Sequence, residues 1–387
     1  MQVDRLTLVN FRNYERAEVT FDAGFNLVVG DNAQGKTNLL EAVQVLSGLG
    51  SPRTGDLGAL VRTGAQVALL HAVVTRQGRN LCLDVELRAG RGTRALINRT
   101  PVAGARALGE VVTTVFFGPD ELALVKGPPE GRRRFLDDVV VKLRPAKDAL
   151  RRELERVLRQ RNALLRSLPA GGGRASALAT LEAWDDGLCR IGAALVAARL
   201  QALAALAPRV NERYAEVAGG GGIELGYDSA WVPPEVVSGA LGGTEPSQAQ
   251  LAAALRAALE GLRARELERG QTLAGPQRDD ISVLLRSAAD PGELRDAREL
   301  ASQGDQRTCA LALKLAEHDV LSVQLSDQPI LLLDDVFSEL DVKRRRWLND
   351  AVASLGQVIV TSAELDDPVA AGAKALFEVR GGRVSRL

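Results

Sequence analysis

Chemistry that depends on cysteine, histidine or aromatic rings has little to work with in this chain. Its 387 residues include three cysteines, two histidines, one methionine and 4% aromatic residues. Cys82, Cys189 and Cys309 are scattered and odd in number, which argues against a disulfide framework and for a reducing, cytoplasmic setting. Neither they nor His71 and His318 fall at metal-ligand spacing. Net charge is missing too: 49 basic residues balance 49 acidic ones, so contact with a polyanion has to come from a local patch. Asp4 and Arg5 precede any apolar run, and the most apolar stretch, 191–206, is interrupted by Arg199 and Gln201. Neither an export leader nor a membrane span is therefore expected. What is present, 46% apolar and 25% charged residues, can bury a sizeable core. A chain of this length is expected to form about two or three domains.

The most informative segment is Gly30-Asp31-Asn32-Ala33-Gln34-Gly35-Lys36-Thr37, which fits the phosphate-binding pattern G-x-x-x-x-G-K-[ST]. The apolar run Asn26-Leu27-Val28-Val29 enters it and the helix-like Asn38-Leu39-Leu40-Glu41-Ala42 leaves it. Such a loop needs glycine because its backbone curls around phosphates and presents N–H groups, while the following helix adds the positive end of its dipole. Lys36 is then placed for the β- and γ-phosphates, and Thr37 for a magnesium ion. ATP with Mg2+ is the ligand expected.

Far down the chain, Pro329-Ile330-Leu331-Leu332-Leu333-Asp334-Asp335 reads as a buried parallel strand ending in two carboxylates. In phosphate-loop ATPases this arrangement supplies a magnesium ligand, here Asp334, and a group that orients or deprotonates the attacking water, here Asp335. Asp335 stands where many relatives place Glu. Its shorter reach predicts slow turnover, suited to a switch.

Organisation follows from where strand-like and helix-like text falls. Segments 6–9, 25–29, 67–75, 81–87 and 111–117 read as strands separated by glycine turns. From Arg144 the pattern becomes helical: Leu150, Leu154, Val157, Leu158 and Leu165 share one face, and Leu178, Leu181, Trp184, Leu188, Ile191 and Leu195 recur at spacings of three and four. Pro169-Ala170-Gly171-Gly172-Gly173 should break this run, and Pro233-Pro234 with Gly242-Gly243 marks a second flexible region. Strand-like text resumes at 281–285. The division expected is 1–143 and 271–387 as two parts of one α/β head, with 144–270 as an inserted helical lobe.

Ala301-Ser302-Gln303-Gly304-Asp305-Gln306-Arg307, before a helical stretch from Thr308 to Leu325, looks like an ABC-type signature. In that family the Ser and Gly close over the γ-phosphate held by the opposite subunit, so Ser302 and Gly304 are candidate nucleotide contacts. Gln303 and Asp305 depart from the residues usual there. Ser338-Glu339-Leu340-Asp341 resembles the D-loop that follows the acidic strand in the same family.

The segment 332–341, the segment from Pro119-Asp120 through Gly127-Pro128-Pro129-Glu130-Gly131-Arg132-Arg133-Arg134-Phe135-Leu136-Asp137, and Gly275-Pro276-Gln277-Arg278-Asp279-Asp280 together resemble the bacterial RecF family over nearly the whole chain. So does the opening Leu6-Thr7-Leu8-Val9-Asn10-Phe11-Arg12-Asn13-Tyr14. Pro128 and Gln277 depart from the family pattern, away from any phosphate-binding position. The resemblance implies an ABC-type head similar to those of Rad50 and SMC proteins, and an ATP-driven homodimer that binds DNA. It further implies work with RecO and RecR to help load RecA at gaps, replication-fork maintenance and SOS induction. Similar heads also suggest that Arg53, in Ser51-Pro52-Arg53-Thr54, adds a charge near the phosphates in cis.

For DNA the candidates are Arg132, Arg133 and Arg134, the run Arg151, Arg152, Arg156, Arg159, Arg161 and Arg166, and Lys343-Arg344-Arg345-Arg346. Guanidinium groups donate two parallel hydrogen bonds to phosphate and stay charged. Glu153 and Glu155 interleave with the second set, so part of it also reads as a solvated helix face with internal ion pairs. No aromatic stripe accompanies the clusters, which favours backbone contacts over base reading. An ABC transporter ATPase subunit, a small-molecule kinase and a scaffold are the rival readings; a transporter subunit keeps its first motifs closer together, and a scaffold has no use for Lys36, Thr37, Asp334 and Asp335.

Overall fold

A computed structural model describes residues 1–90, 92–168, 175–286, 292–363 and 372–387, without the side chains of residues 175–178, 300 and 339. The break expected at 169–173 and the packing of Leu178 lie outside the described residues. In chain order the elements are β1 (Gln2–Phe11), β2 (Tyr14–Thr20), β3 (Phe25–Val29), α1 (Lys36–Leu46), β4 (Val67–Arg76), β5 (Arg79–Arg88), β6 (Arg94–Ile97), β7 (Thr100–Pro101) and β8 (Thr114–Phe117). There follow α2 (Ala123–Lys126), α3 (Pro129–Leu143), α4 (Asp148–Ser167), α5 (Ala175–Ala218), β9 (Gly222–Asp228), α6 (Pro234–Leu241), α7 (Gln248–Arg269), β10 (Asp280–Arg286) and β11 (Leu294–Asp296). The chain closes with α8 (Ala297–Leu300), α9 (Gln303–Leu325), β12 (Ile330–Asp334), α10 (Val342–Ala353), β13 (Val358–Ser362), β14 (Ala375–Arg380) and β15 (Arg383–Arg386).

These elements form two compact units, the first comprising Met1–Leu122, Val217–Gly219 and Ala310–Leu387. It holds two six-stranded sheets, β2-β1-β4-β5-β6-β7 and β15-β14-β3-β13-β12-β8. Strands β14, β3, β13, β12 and β8 run parallel, and only the edge strand β15 is antiparallel. In the parallel sheet β3, β12 and β13 are buried at every position, which is why they read as unbroken apolar text. In the other sheet β4 alternates, with Ala68, Leu70, Ala72 and Val74 buried and Leu69 46% exposed. Helix α1 fills the space between the sheets: Leu39, Leu40, Val43 and Leu46 share one core with Leu6, Leu8 and Phe11 of β1 and with Leu332, Ile359 and Phe377. Each such side chain contributes about 1.5–3 kcal/mol, so the helix behind the phosphate-binding pattern is anchored on two sides.

This topology explains how residues so far apart form one site. β13 lies between β3 and β12, with Ser362 beside Val29 and Thr361 beside Asp334. The phosphate-binding loop leaves the C-terminal end of β3 and the acidic pair ends β12. Open parallel sheets bind ligands at that edge.

The second unit comprises Ala123–Glu216 and Gly220–Cys309. It is larger at both ends than the lobe expected at 144–270. The reason lies in α3: its Arg132 pairs with Asp280 and its Asp137 with Arg199, so the helix and the strand β10 are tied into this unit. Strands β11-β10-β9 form a small antiparallel sheet beside the helices. The Pro233–Gly243 region, expected to be flexible, folds as α6, with Pro234 at its first position and Gly243 in the left-handed region (φ 92°). A 40-residue stretch of α5, Ala179–Ala218, is long and apolar enough to cross a membrane, yet 61% of its apolar window is buried within the protein. Arg199 sits inside that stretch in an ion pair with Asp137, as suits the core helix of this unit.

Candidate functional site

The loop after β3 is shaped by steric necessity at its two glycines. Gly30 has φ 149° and Gly35 φ 118°; a Cβ on Gly30 would stand 2.3 Å from the Val379 carbonyl oxygen, and one on Gly35 2.5 Å from Asn13 Nδ2. Neither position accepts a side chain. Ala33 also lies in the left-handed region, at φ 64°, a local strain of the sort that clusters at ligand sites. Gly35 caps α1 without any side-chain bond, and no acidic residue occupies the first turn. The positive end of the helix is thus left for an anion.

Asn32, Ala33, Gly35, Lys36 and Thr37 line a pocket of about 530 Å³, together with Arg53, Glu121, Asp334 and Asp335. Gly30, Asp31 and Gln34 are not part of that lining and shape the loop from behind. Gln34 Oε1 accepts from the Gly381 amide (2.6 Å), and its carbonyl accepts from Asn13 Nδ2 (2.7 Å). Lys36 Nζ folds back to donate to the carbonyls of Gly30 (2.5 Å) and Asp31 (2.9 Å). Burial lowers the pKa of its ammonium, while the charges of Asp335, Asp334 and Asp31 work against that.

Across the pocket, Thr37 Oγ1 donates to Asp334 Oδ1 at 2.9 Å, joining residues 297 apart in sequence. Thr361 Oγ1 donates to the same oxygen at 2.7 Å and accepts from the Asp335 amide at 2.9 Å. Burial raises the Asp334 pKa, the two hydroxyls oppose the rise, and the neighbouring Asp335 charge adds to it. Asp335 is held at φ 51°, and its Oδ1 is buried with no hydrogen-bond partner among the described residues. An unpartnered buried carboxylate oxygen, two further hard oxygen donors at Thr37 and Asp334, and a glycine cradle fit a triphosphate and its divalent cation. Thr361 is a site residue that sequence reading missed; the signal was Val358-Ile359-Val360-Thr361-Ser362, an apolar strand ending in hydroxyls like the acidic strand beside it.

The other candidates divide. Ser302 caps α9, which starts at Gln303 and not at Thr308: its Oγ accepts from the Asp305 amide (3.2 Å) and donates to Asp305 Oδ2 (2.7 Å). Ser302 and Gly304 belong to the second unit and are absent from the lining of the pocket in the first. In the segment after β12, Ser338 Oγ donates to the Asp335 carbonyl (2.8 Å), and Asp341 caps α10 by accepting from the Arg344 amide (2.9 Å).

Two arginines expected to meet DNA are corrected. Arg132 is 5% exposed and grips Asp280 through Nε (2.8 Å) and Nη2 (2.7 Å), so its donors are spent inside the protein. Arg161 is fully buried between Asp185 and Glu266. Arg133 is half-buried and donates to the Asp279 carbonyl (2.7 Å). Arg134, Arg152 and Arg156 are exposed, each near a carboxylate one turn away: Glu130, Asp148 and Glu153. Arg151 is partly covered and faces Asp138 and Asp148.

Residues 2–383 match the family described as RecF/RecN/SMC N terminal domain. The "DNA replication and repair protein RecF" of Streptomyces avermitilis is 42% identical over 391 residues, covering 100% of both chains. The chain belongs to the RecF family. The RecF protein of Beutenbergia cavernae is 41% identical over 405 residues, again over 100% of both. A solved structure described as the recombination mediator protein RecF-ATP in the RecFOR pathway superposes with a TM-score of 0.87 at 26% identity, covering 100% of this chain and 97% of that one. An Smc head domain from Pyrococcus furiosus, at 16% identity and a TM-score of 0.57 over 100% of this chain and 96% of its own, shares the fold. The α/β ABC-type head expected from sequence is therefore the fold observed, and a transporter subunit is set aside.

Proposed function

We propose that the chain acts in DNA replication and repair as an ATP-dependent, sequence-nonspecific DNA-binding protein, cytoplasmic, in which slow ATP hydrolysis resets a homodimeric clamp. The observation that carries the reading is the convergence of Lys36, Thr37, Asp334 and the unpartnered Asp335 oxygen on one glycine-lined pocket. Lys36 would exchange its two carbonyl acceptors for phosphate oxygens. Thr37 and Asp334 would hold a magnesium ion, which when bound supplies charge to offset that of the phosphates. Asp335 would orient the attacking water through the oxygen that has no partner among the described residues, and Thr361 keeps both carboxylates in register. Ser302 and Gly304 would cap the nucleotide of a second copy, which makes hydrolysis depend on dimerisation. Arg53 would meet the phosphates in cis. A RecF structure named for the RecFOR pathway supports RecO and RecR as partners, and help in loading RecA at gaps would be the outcome.

The test is nucleotide binding and light scattering on the full chain. Lys36→Ala should lose ATP affinity, and Ser302→Arg should bind ATP yet stay monomeric. Unchanged affinity in the first variant would reject the pocket, and a normal ATP-driven dimer in the second would reject capping in trans.

A further inference from the structure

Helix α1 buries a carboxylate that this chemistry does not use. Glu41, in the second turn of α1, is 0% exposed. An ionised carboxylate is strongly disfavoured there unless its oxygens are satisfied, and both are. Arg12 donates from Nε to Oε2 and from Nη2 to Oε1, each at 2.8 Å, and Ser51 Oγ donates to Oε1. The three residues come from different segments: Arg12 from the turn between β1 and β2, where its φ is 52°, Glu41 from α1, and Ser51 from the loop that follows α1.

The Ser51 hydroxyl has a second task. It accepts from the amides of Arg53 (3.0 Å) and Thr54 (3.1 Å), so the loop is wound around an oxygen that Glu41 holds still. From this wound loop the Arg53 side chain enters the pocket lining, with Nη1 on Asn38 Oδ1 at 3.3 Å. Asn38 in turn donates to Asn13, the neighbour of Arg12, at 2.8 Å. The Asp334 carboxyl, raised chiefly by burial, also feels the Arg53 charge, which lowers it. Arg53 thus lines the same pocket as the acidic pair, close enough for its charge to act on Asp334.

We infer that Glu41 is a positioning residue: braced by Arg12 and acting through Ser51, it fixes the loop that aims Arg53 at the γ-phosphate, and so sets the preference of the site for ATP over ADP. The inference rests on the nucleotide reading of the pocket. Glutamine at 41 keeps the shape but turns one acceptor into a donor that faces the Arg12 or Ser51 donors. A group that only tied α1 to the β1–β2 turn would affect both nucleotides alike.

The experiment titrates a fluorescent non-hydrolysable ATP analogue and fluorescent ADP, with magnesium, into full-length wild type, Arg53→Ala, Glu41→Gln, Ser51→Ala and the Glu41→Gln/Arg53→Ala double variant. One lost guanidinium–phosphate contact corresponds to about tenfold in affinity. Arg53→Ala and Glu41→Gln should each weaken the ATP analogue by about that factor and ADP by clearly less, and the double variant should lose no more than Arg53→Ala alone. Equal losses for the two nucleotides, or losses that multiply in the double variant, would overturn the inference. If Glu41→Gln fails to fold, Ser51→Ala decides, because it cuts the same link without stranding a charge: an unchanged ATP-to-ADP ratio in that variant overturns the proposal. Wild type that binds neither nucleotide, or Lys36→Ala that binds both as tightly as wild type, would instead remove the nucleotide reading and the inference with it.

Discussion

Two of the buried groups of charged side chains in this molecule are completed to different degrees. In the second unit Arg161 donates to Asp185, Glu266 and Thr272, and Arg199 grips both oxygens of Asp137 while also donating to the Pro276 carbonyl. Tyr227 and Trp231 donate to Asp279 in the same cluster. In the first unit Lys36 rests on two carbonyls, Asp334 receives only neutral hydroxyls, and one Asp335 oxygen has no partner among the described residues. A closed network holds a fold together; an open one has donors and acceptors to spare for a ligand. The contrast also teaches that an arginine in a basic run is not a phosphate contact by charge alone, since Arg132 and Arg161 proved to be closed.

The largest effect that tests this contrast is expected in the closed network. Arg199→Ala strands Asp137 without its partner in the interior, and removing one member of a buried pair destabilises by about 3–5 kcal/mol. Denaturant unfolding should show a correspondingly lowered midpoint. A wild-type midpoint would mean that the cluster is not what orders this unit.

The open site should behave in the opposite way. Asp335→Asn removes a charge from a position where one oxygen has no hydrogen-bond partner among the described residues, so unfolding should be unchanged or shifted slightly toward greater stability. ATP affinity should persist, while hydrolysis falls by about 10²–10⁴-fold, the range for a lost general base. A variant that loses stability along with turnover would place Asp335 among the structural charges and erase the distinction.

How much of this was legible beforehand depended on whether the signal was local. The loop at 30–37, the strand at 330–334 and the carboxylates that end it are written in contiguous residues, and β3 matches its expected span. The strand expected at 111–117 forms only at 114–117, because the Val111 amide closes a turn onto Leu108. Pairings between distant segments were not legible. Nothing in the text around Arg132 announces Asp280, 148 residues away, and nothing around Thr361 announces that β13 would lie beside β12. For the same reason the sequence reading starts the lobe at 144, whereas the second compact unit starts at Ala123, where ion pairs of α3 tie that helix to it.

A smaller, pH-dependent effect sharpens the comparison. Burial raises the Asp334 pKa against the pull of the Thr361 and Thr37 hydroxyls. The folded chain therefore holds that proton more tightly than the unfolded chain does. The stability from this group is fully present below the ordinary carboxylate pKa and is lost as pH rises through the raised folded value. In urea, nucleotide-free wild type and Asp334→Asn should unfold alike at acid pH and diverge above it, with the variant the more stable. Asp279, also raised by burial, remains in both and leaves a shared slope of the same sign. Curves that stay parallel over the whole range would show that the hydroxyls already compensate the buried Asp334 charge.

The smallest effect expected concerns the arginines left outside the closed networks. Arg152 and Arg156 are exposed, at 68% and 57% of the side chain, and their carboxylate neighbours lie 3.4 Å and 3.9 Å away on the same helix. Exposed pairs of this sort contribute about 0–1 kcal/mol, so the guanidinium groups can leave them for phosphate with little loss. Arg151, 26% exposed and facing Asp138 as well as Asp148, is freer to stay where it is. Each phosphate neutralised on duplex DNA steepens the logarithmic salt dependence of binding by about 0.9. Replacing Arg152 and Arg156 with Gln should therefore flatten the slope by up to about 1.8 if both touch DNA, and Arg151→Gln should add less than either. ATP affinity should not change, because none of the three lines the nucleotide pocket. Arg132→Gln serves as the opposing case: it should lower the unfolding midpoint and leave the slope intact. If Arg132→Gln flattens the slope and the Arg152/Arg156 pair does not, exposure is the wrong criterion for choosing phosphate contacts in this chain, and the division between closed and open charges fails at the DNA surface.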